Sequence, residues 1–352
     1  MNKKVLIGII AVILIAGITV GCIFFFNKKE NTQNNNNTNN NAVEPTNNIM
    51  SIAQKDFKLI VAFTEDGKEI SLLDISNYRD VVYSVDNNKL YLFMSKQATP
   101  SDIKSLGYID FNDKEYRYIE LANNIETPGY PVSIAVYDND IYYTTSNSNY
   151  IFKYNIETKE TTKPTNMQMQ YATVLKSTNN KMIYMTAGTV NTKSKYGIID
   201  LTTGDKKELN EDVYVEYTYG NKVIYLKYED GQSNKWKYYE YDVDTEKTRV
   251  ISDEAEGIQS VYDSYIVPYE DYYVYVCENH IYKYSNGKAD LLKDADDWIN
   301  YFVLISKENI HLIYGYSEDM DVTAIYKTYN IKNNTYTDST NKAEYSKVLY
   351  VK

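Results

Sequence analysis

Residue types that serve catalysis and metal binding are scarce in this chain of 352 residues. It has two cysteines, and because Cys22 falls in an apolar N-terminal run, Cys277 has no disulfide partner in the rest of the chain. The two histidines, His280 and His311, are too few for a histidine-based metal cluster. Neither a Gly-rich phosphate loop nor a Gly-x-Ser-x-Gly motif occurs. The sequence therefore predicts no cofactor, no metal and no catalytic residue, and a structural role for these side chains.

Glycine and proline are also sparse, at 14 and 6 residues, so turns must rely on Asn and Asp. One pattern recurs seven times at spacings of 42 to 45 residues: an apolar, Tyr-rich run leads into a polar residue, then a polar turn and a short polar strand. The reference positions of the seven rows are Glu65, Asp110, Asn155, Asp200, Asp242, Ser285 and Asn330. A strand-only repeat of this length predicts an all-β chain folded as a β-propeller. Seven four-stranded blades are favoured, with six as the alternative.

The closing blade is expected to combine the two ends of the repeat region. An aliphatic-Tyr pair, as in Ile224-Tyr225, marks the second strand of most repeats, and no such pair precedes Glu65. The C-terminal segment 347–352 reads like the second strand at 222–227, so we expect it to pair with an N-terminal hairpin at Phe57 to Leu73. Because 339–344 makes a poor strand, this blade is expected to have as few as three strands.

The N-terminal residues 1–26 are predicted to form a membrane anchor. Val5 to Phe26 are 22 uncharged residues, which as a helix would be about 33 Å long, enough to span a bilayer. Two lysines precede this segment and two follow it, so orientation rests on export of the propeller. The alternative is a lipoprotein signal: Thr19-Val-Gly-Cys22 resembles a lipoprotein cleavage box in which Cys22 carries the lipid.

Residues 27–49 are Asn-rich and are predicted to be a disordered linker before the propeller domain at 50–352. The net charge of the chain is -11, and residues 1–49 carry four lysines and two glutamates, which leaves -13 for the propeller. An acidic surface repels phosphate backbones, so nucleic acid is not expected as a ligand. Protein partners, or neutral or basic components of the cell envelope, fit this charge better.

The long connections are predicted to lie on one rim of the ring. They comprise the loops between second and third strands at 96–105, 187–195, 229–235 and 315–322, and the links between blades at 121–130 and 293–298. Aromatic and acidic residues at these connections are the candidate ligand-binding side chains, because an aromatic beside carboxylates can stack on a sugar or hold a cation. They are Trp236, Asp296, Asp297, Trp298, Glu318, Asp319 and Asp321.

One row carries a family resemblance. The segment Ile141-Tyr142-Tyr143-Thr144-Thr145 and its continuation to Ile151 resembles the YWTD row of the propellers found in low-density lipoprotein receptors and related bacterial surface domains. The resemblance implies an extracellular binding propeller. It carries no catalytic residue over to this chain.

These features favour a non-catalytic, single-pass membrane protein with an extracytoplasmic propeller that binds a protein or an envelope component. The alternative is an exported polysaccharide hydrolase or lyase, or a lactonase, using carboxylates in the central channel. Converging carboxylates at the axis would favour the enzyme, whereas an apolar or Tyr-filled channel would favour binding.

Overall fold

A computed structural model describes residues 49–96, 103–169, 172–187, 194–211, 213–228, 236–252, 264–269, 272–277, 280–294, 299–314 and 325–351. The predicted anchor at 1–26, with Cys22, and residues 27–48 of the predicted linker lie outside these ranges. No helix within the described ranges is long and apolar enough to cross a membrane.

Seven antiparallel sheets of four strands form the described structure, and they are the blades of a seven-bladed propeller. The first three strands in the chain are β1 (Ile49–Lys55), β2 (Leu59–Thr64) and β3 (Glu69–Asp74). Blade 1 follows with β4 (Asp80–Asp86), β5 (Lys89–Ser95), β6 (Lys104–Asp110) and β7 (Tyr118–Ile125). Blade 2 has β8 (Pro131–Tyr137), β9 (Asp140–Thr145), β10 (Phe152–Asn155) and β11 (Thr161–Thr162), before a 3-10 helix at Thr165–Met167.

The next two blades have the same order of strands. Blade 3 has β12 (Ala172–Thr178), β13 (Lys181–Thr186), β14 (Lys195–Asp200) and β15 (Lys206–Glu211). Blade 4 has β16 (Val213–Tyr219), β17 (Lys222–Tyr228), β18 (Trp236–Asp242) and β19 (Lys247–Val250).

Two further blades and one last strand complete the ring. Blade 5 has β20 (Ser264–Pro268), β21 (Tyr273–Cys277), β22 (His280–Ser285) and β23 (Lys288–Asp294). Blade 6 has β24 (Ile299–Leu304), β25 (Asn309–Tyr314), β26 (Ile325–Asn330) and β27 (Thr335–Asp338). The last strand, β28 (Tyr345–Tyr350), pairs with β1 and completes the closing blade in the order β28-β1-β2-β3.

The first strand of each blade is its innermost strand, because neighbouring blades contact one another through these strands around the ring. The aliphatic-Tyr pair lies on the second strand and explains how blades pack. Consecutive residues of a strand point to opposite faces. Ile224 therefore packs toward blade 5, in a buried cluster with Ile266 and Tyr275. Tyr225 packs toward blade 3, with its ring centroid 4.8 Å from that of Tyr196. Four other pairs likewise place their two members in different clusters: Leu90-Tyr91, Ile141-Tyr142, Ile183-Tyr184 and Val274-Tyr275.

The closing blade differs from the expectation in two respects. It has four strands, because β1 supplies a second strand that begins at Ile49, one residue before the predicted domain boundary. The C-terminal strand is consequently the inner strand and not a second strand, and it pairs with β1 through Ile52 opposite Leu349 and Gln54 opposite Ser346. The strand β1 contains no Tyr, unlike the other second strands. The sequence before Glu65 therefore has no aliphatic-Tyr pair to mark this strand.

A bulge in β28 ties the closing blade to blade 1. The register of β28 against β1 shifts between Leu349 and Ser346, and Lys347 within this bulge has a φ of 49°. The Nζ of Lys347 donates to the carbonyl oxygen of Val81 at 2.9 Å, and the hydroxyl of Tyr83 donates to the carbonyl oxygen of Lys347. Inner strands have an unpaired backbone edge, and these bonds satisfy part of it where the ring closes.

The sequence pattern that recurs seven times marks the turn after the third strand of each blade. In blade 4 the Oδ1 of Asp242 accepts hydrogen bonds from the backbone N–H groups of Asp244 at 3.1 Å and Thr245 at 2.8 Å. This is an Asx turn, which Asp and Asn form because their short side chains reach backbone N–H groups two or three residues on. Equivalent bonds are made by Asp110, Asn155, Asp200 and Asn330.

The two shorter rows use other kinds of turn at the same place in the blade. After β2, the Oγ1 of Thr64 accepts the backbone N–H of Lys68 at 3.0 Å. After β22, Asn286 and Gly287 have φ values of 52° and 80°, the positive pair that a two-residue type I′ hairpin requires.

The apolar residue that follows the Asx position connects the two turns of its blade. Its backbone N–H donates to a carbonyl in the hairpin between the first and second strands, as Val243 does to Asn221 at 2.9 Å. The same bond joins Phe111 to Asn88, Ile156 to Asn139, Leu201 to Asn180 and Ile331 to Glu308. The two short turns of a blade are thereby held side by side on one rim.

Asp242→Ala should lower the free energy of unfolding by about 1 kcal/mol at pH 7, because the turn loses its side-chain acceptor. Asp242→Asn should cost less, since Asn155 and Asn330 accept the same bonds in their blades. The hydrogen bond from the N–H of Thr245 lowers the pKa of Asp242 below its ordinary value. The carboxylate contribution is therefore present above the unfolded pKa and is lost as pH falls through the folded pKa.

Guanidinium unfolding of the purified chain at pH 7 and at pH 3 measures both effects. The difference between the natural chain and Asp242→Ala should shrink at the lower pH. Equal losses for the Ala and Asn variants at pH 7 would contradict the Asx-turn assignment.

Candidate binding rim

The ring has two unlike rims. The turn rim comprises the hairpins between first and second strands and the Asx-type turns between third and fourth strands. The loop rim comprises the connections between second and third strands and the links between blades. The strand bounds show that several long connections join strand ends on the loop rim, among them 96–103, 187–194, 229–235 and 315–324.

Three connections that join strand ends on the loop rim are short. The link after blade 1 is shorter than expected, because β7 continues to Ile125 and leaves only 126–130. The second-to-third connections of blade 5, at 278–279, and of the closing blade, at 56–58, are short.

Both ends of the described chain lie on the turn rim. Ile49, the first residue of β1, pairs with Thr64 at the end of β2, directly before a turn between third and fourth strands. At the other end, the N–H of Val351 donates to the carbonyl oxygen of Met50 at 2.9 Å. Residues 1–48 therefore join the ring on the turn rim, and the loop rim is on the opposite side.

Only one of the candidate ligand-binding residues falls in the described part of the chain. Trp236 is the first residue of β18, is half-buried, and packs against the apolar cluster between blades 4 and 5. Asp296, Asp297 and Trp298 lie outside the described residues, as do Glu318, Asp319 and Asp321, so their grouping at one site stays a prediction. The flanking strands β23, β24, β25 and β26 end or begin on the loop rim at these connections.

Sequence reasoning missed a part of the loop rim at the closing blade and blade 1. Phe57 is 47% exposed in the turn at 56–58, and the Nζ of Lys96 lies 5.8 Å from the ring centroid of Tyr78 in the neighbouring link. Backbone bonds join these segments, from Ile75 N–H to Lys58 at 2.7 Å and from Arg79 N–H to Ser95 at 2.9 Å. Of these residues, Phe57 falls in the predicted hairpin and Lys96 in the predicted loop at 96–105, and none of them is among the candidate ligand-binding residues.

Carboxylates on the inner strands do not converge where their side chains are described. Asp80 and Asp86 occupy the two ends of β4, on opposite rims. Six residues of extended strand separate them by about 20 Å. Paired glycosidase carboxylates lie within about 5 to 9.5 Å of each other, so these two cannot act as such a pair. Residues 214–217 of β16 are not included, since their side chains are outside the description.

The axis is narrow between two opposing blades. The inner strands β16 and β28 belong to blades three places apart in a ring of seven, yet they contain Cα atoms within 8 Å of each other. At the level of this contact the two inner strands are closer than the about 10 Å that separates sheets packed face to face.

Glu240 of β18 is a buried carboxylate with a full set of partners. Arg249 holds it with two bonds of 2.9 Å, the Nζ of Lys222 lies 3.3 Å from its Oε1, and the hydroxyl of Tyr273 in blade 5 donates to its Oε2. Burial alone would raise the pKa of Glu240, but the bonds from Arg249 and Tyr273 outweigh it and hold the pKa below its usual value. An ionised carboxylate whose oxygens are occupied joins blades 4 and 5 and is poorly suited to act as a general acid.

The two histidines have separate environments. His280 is partly exposed on β22, and its Nδ1 lies 2.6 Å from Oδ1 of Asp294. His311 on β25 is buried. Cys277 lies in β21, the second strand of its blade. No group of three or more His, Cys, Asp or Glu side chains that could hold a metal ion occurs in the described part of the chain.

Comparison with known proteins assigns no family. No protein-family model and no curated protein matches the chain. Among solved structures, it is similar to the computationally designed Ika8 protein at 11% identity and a TM-score of 0.46, over 85% of this chain and 88% of that one. A nidogen/laminin complex matches at 9% identity and a TM-score of 0.37, over 82% of this chain and 92% of that one.

A third structure is the β-propeller domain of the trilobed protease from Pyrococcus furiosus, with an open velcro topology. It matches at 11% identity and a TM-score of 0.44, over 74% of this chain and 83% of that one. Similarities at these identities and TM-scores assign neither a family nor an activity, and the resemblance to YWTD propellers remains a prediction.

Glu240→Gln should lower the free energy of unfolding by about 2 kcal/mol, because Arg249 and Tyr273 lose a charged acceptor in a mostly buried interface. Glu208 is the matched control. It pairs with Lys195 across the third and fourth strands of blade 3 at 2.9 Å, but both side chains are at least 40% exposed. Glu208→Gln should therefore change the stability by less than about 0.5 kcal/mol. Guanidinium unfolding compares the two variants, and equal losses would contradict a buried inter-blade role for Glu240.

Proposed function

We propose that this protein is a non-catalytic binding propeller, held at the cell membrane by its N-terminal segment and presenting its loop rim away from the membrane. The observation that carries the proposal is the position of the two chain ends. Ile49 and Val351 lie on the turn rim, so a tether through residues 1–48 leaves the loop rim facing outward. Long connections on a rigid ring are where binding residues are usually found.

The sequence of three connections supports a basic partner. The segments 253–263, 295–298 and 315–324 join strand ends on the loop rim of blades 4, 5 and 6. Together they contain nine carboxylates and no lysine or arginine. A local excess of one charge attracts partners of the opposite charge and raises their rate of association. The candidate residues Asp296, Asp297, Trp298, Glu318, Asp319 and Asp321 all belong to these segments.

The axis gives less support to the alternative of a polysaccharide hydrolase or lactonase. Asp80 and Asp86 are too far apart to work as a pair, and the approach of β16 to β28 narrows the passage that a polymer would need. Glu240, which is buried, is fully engaged in joining two blades. We therefore favour recognition of a protein or a basic or neutral envelope component over turnover of a polymer.

The tether itself rests on the sequence. Residues 5–26 are long and apolar enough for a single-pass anchor, and the box ending at Cys22 is the lipoprotein alternative. Both alternatives give the same side of the membrane, with no nucleic acid as partner and with residues 27–48 as spacer.

Labelling of intact bacterial cells with a membrane-impermeant maleimide tests the location. In a Cys277→Ser chain, we expect both Asn77→Cys on the loop rim and Asn333→Cys on the turn rim to react without lysis, since both positions are exposed. Cys22→Ser serves as a further comparison: an anchor helix keeps the chain in the membrane fraction at unchanged size, whereas a lipoprotein loses its lipid-dependent processing. Reaction only after lysis would overturn the extracytoplasmic location.

Binding of a lysine-rich peptide to the full chain in nanodiscs tests the ligand class. We expect saturable binding that weakens as salt rises, and we expect the triple change Glu318→Gln, Asp319→Asn and Asp321→Asn to reduce affinity by at least about tenfold. The matched control is Asp66→Asn with Asp113→Asn and Asp205→Asn on the turn rim, which removes the same charge and should leave binding unchanged. Equal losses from both triple variants would indicate a non-specific effect of net charge and would overturn recognition by the loop rim.

A further inference from the structure

His311 is buried where the last segment of the chain meets blade 6. It lies on β25, its side chain is 1% exposed, and its Nε2 is 3.3 Å from the carbonyl oxygen of Ala343. Ala343 belongs to residues 339–344, which lead from blade 6 into the closing strand β28. Because the carbonyl can only accept, Nε2 carries the proton and Nδ1 is the basic nitrogen. Nδ1 is buried and has no hydrogen-bond partner among the described residues.

The imidazole packs directly against the residue that begins the closing strand. The ring of Tyr345 lies edge-on to His311, with centroids 5.4 Å apart and planes at 87°. On its other side Tyr345 contacts Phe63 of β2, with centroids 5.2 Å apart. The hydroxyl of Tyr345 donates to Oε2 of Glu69 at 2.7 Å and accepts from Asn341 at 2.7 Å. The side chain of Tyr345, the first residue of β28, thus packs between His311 of blade 6 and Phe63 of the closing blade.

The surroundings of His311 disfavour a second proton on its ring. Burial lowers the pKa of His311, and the positive charge of Lys342 lowers it further. The hydrogen bond with the carbonyl of Ala343 and the negative charge of Glu69 raise the pKa and offset part of this decrease. Glu69 is itself engaged, since Lys55 is 2.7 Å from its Oε1. Two phenols contact the His311 ring, Tyr345 and Tyr326, and the ring centroid of Tyr326 is 6.0 Å away. Asp56 and Glu344 are charged groups near these phenols. Neither phenol can neutralise an imidazolium at mildly acidic pH.

We propose that His311 makes closure of the ring sensitive to acid: its protonation weakens the contact of Tyr345 and residues 339–344 with blade 6 and favours release of β28. Release gives the imidazole access to water and gives the new N–H donor an acceptor. The proposal goes beyond the proposed function, because it concerns how the ring closes and not what the loop rim binds.

The direction of the effect follows from linkage. In the released state the pKa of the imidazole is near its ordinary value of about 6.5, and in the closed ring it is lower. The released state therefore binds more protons, and closure is fully stable above about pH 6.5 and weakens as pH falls below it. One proton changes the opening equilibrium by at most about tenfold per pH unit.

Amide hydrogen exchange of the full chain in nanodiscs, at pH 7.5 and pH 5.5 and corrected for the intrinsic exchange rate, tests the proposal. We expect peptides covering β28 to open more at pH 5.5, by up to about tenfold per unit below pH 6.5. His311→Gln keeps an N–H donor for Ala343 and should abolish this rise. The chain has only one other histidine, so His280→Gln is the matched control and should retain the rise.

A rise that persists in His311→Gln, or no rise in the natural chain, would overturn the proposal. A second measurement does not depend on the folding of a variant: exchange of the imidazole C2 hydrogen, followed by mass spectrometry, gives the pKa of each histidine in the natural chain. We expect a pKa below about 6.5 for His311, and a value at or above this would overturn the proposal as well.

Discussion

Each blade of this protein is a four-stranded sheet with apolar side chains on both faces, so each needs a neighbour on both sides. Ile224 and Tyr225 illustrate the requirement, since adjacent residues of one strand are buried in the interfaces on opposite sides of blade 4. An open row of such sheets would leave an apolar face exposed at each end. Closure of the ring removes both exposed faces, and it depends on β28 pairing with β1.

Closure by a single strand explains the local chemistry at that place. Tyr345 packs between Phe63 and His311. Across the interface with blade 1, Lys347 donates a hydrogen bond to the carbonyl oxygen of Val81 and accepts one from the hydroxyl of Tyr83. The same pairing places the end of β28 beside the first residues of β1, so both ends of the described chain lie on the turn rim. The contact that completes the fold therefore also places both chain ends on the rim opposite the loop rim, which is the arrangement that the proposed tether requires.

Much of the fold could be predicted because its repeat has a local physical cause. The Asp or Asn of five rows accepts hydrogen bonds from the N–H groups of the next residues, as Asp242 does with Asp244 and Thr245. The number of blades followed from the spacing of these turns, and the second strands followed from the aliphatic-Tyr pairs. The loop rim was identified for the same reason, since short turns with strong sequence signals leave the longer connections on the other side.

The errors occurred where a residue's role depends on a distant partner. The segment 347–352 has the sequence of a second strand, yet it becomes an inner strand because β1 already occupies the second position. No pattern in the sequence distinguishes Glu240 from other polar residues of the strands, and its contact with Tyr273 of the next blade makes it a buried link between blades. Tyr78 and Lys96 form a rim contact that no spacing in the sequence indicates.

The sequence by itself determined the class of fold, the seven rows and the position of each turn, because these arise from hydrogen bonds and side-chain alternation within a few residues. Only the tertiary structure decided which strand completes the ring, which charged groups are buried, and on which rim the chain ends lie. Those features require contacts between residues at opposite ends of the chain, such as Ile52 with Leu349, and such contacts form only when all seven sheets pack around one axis.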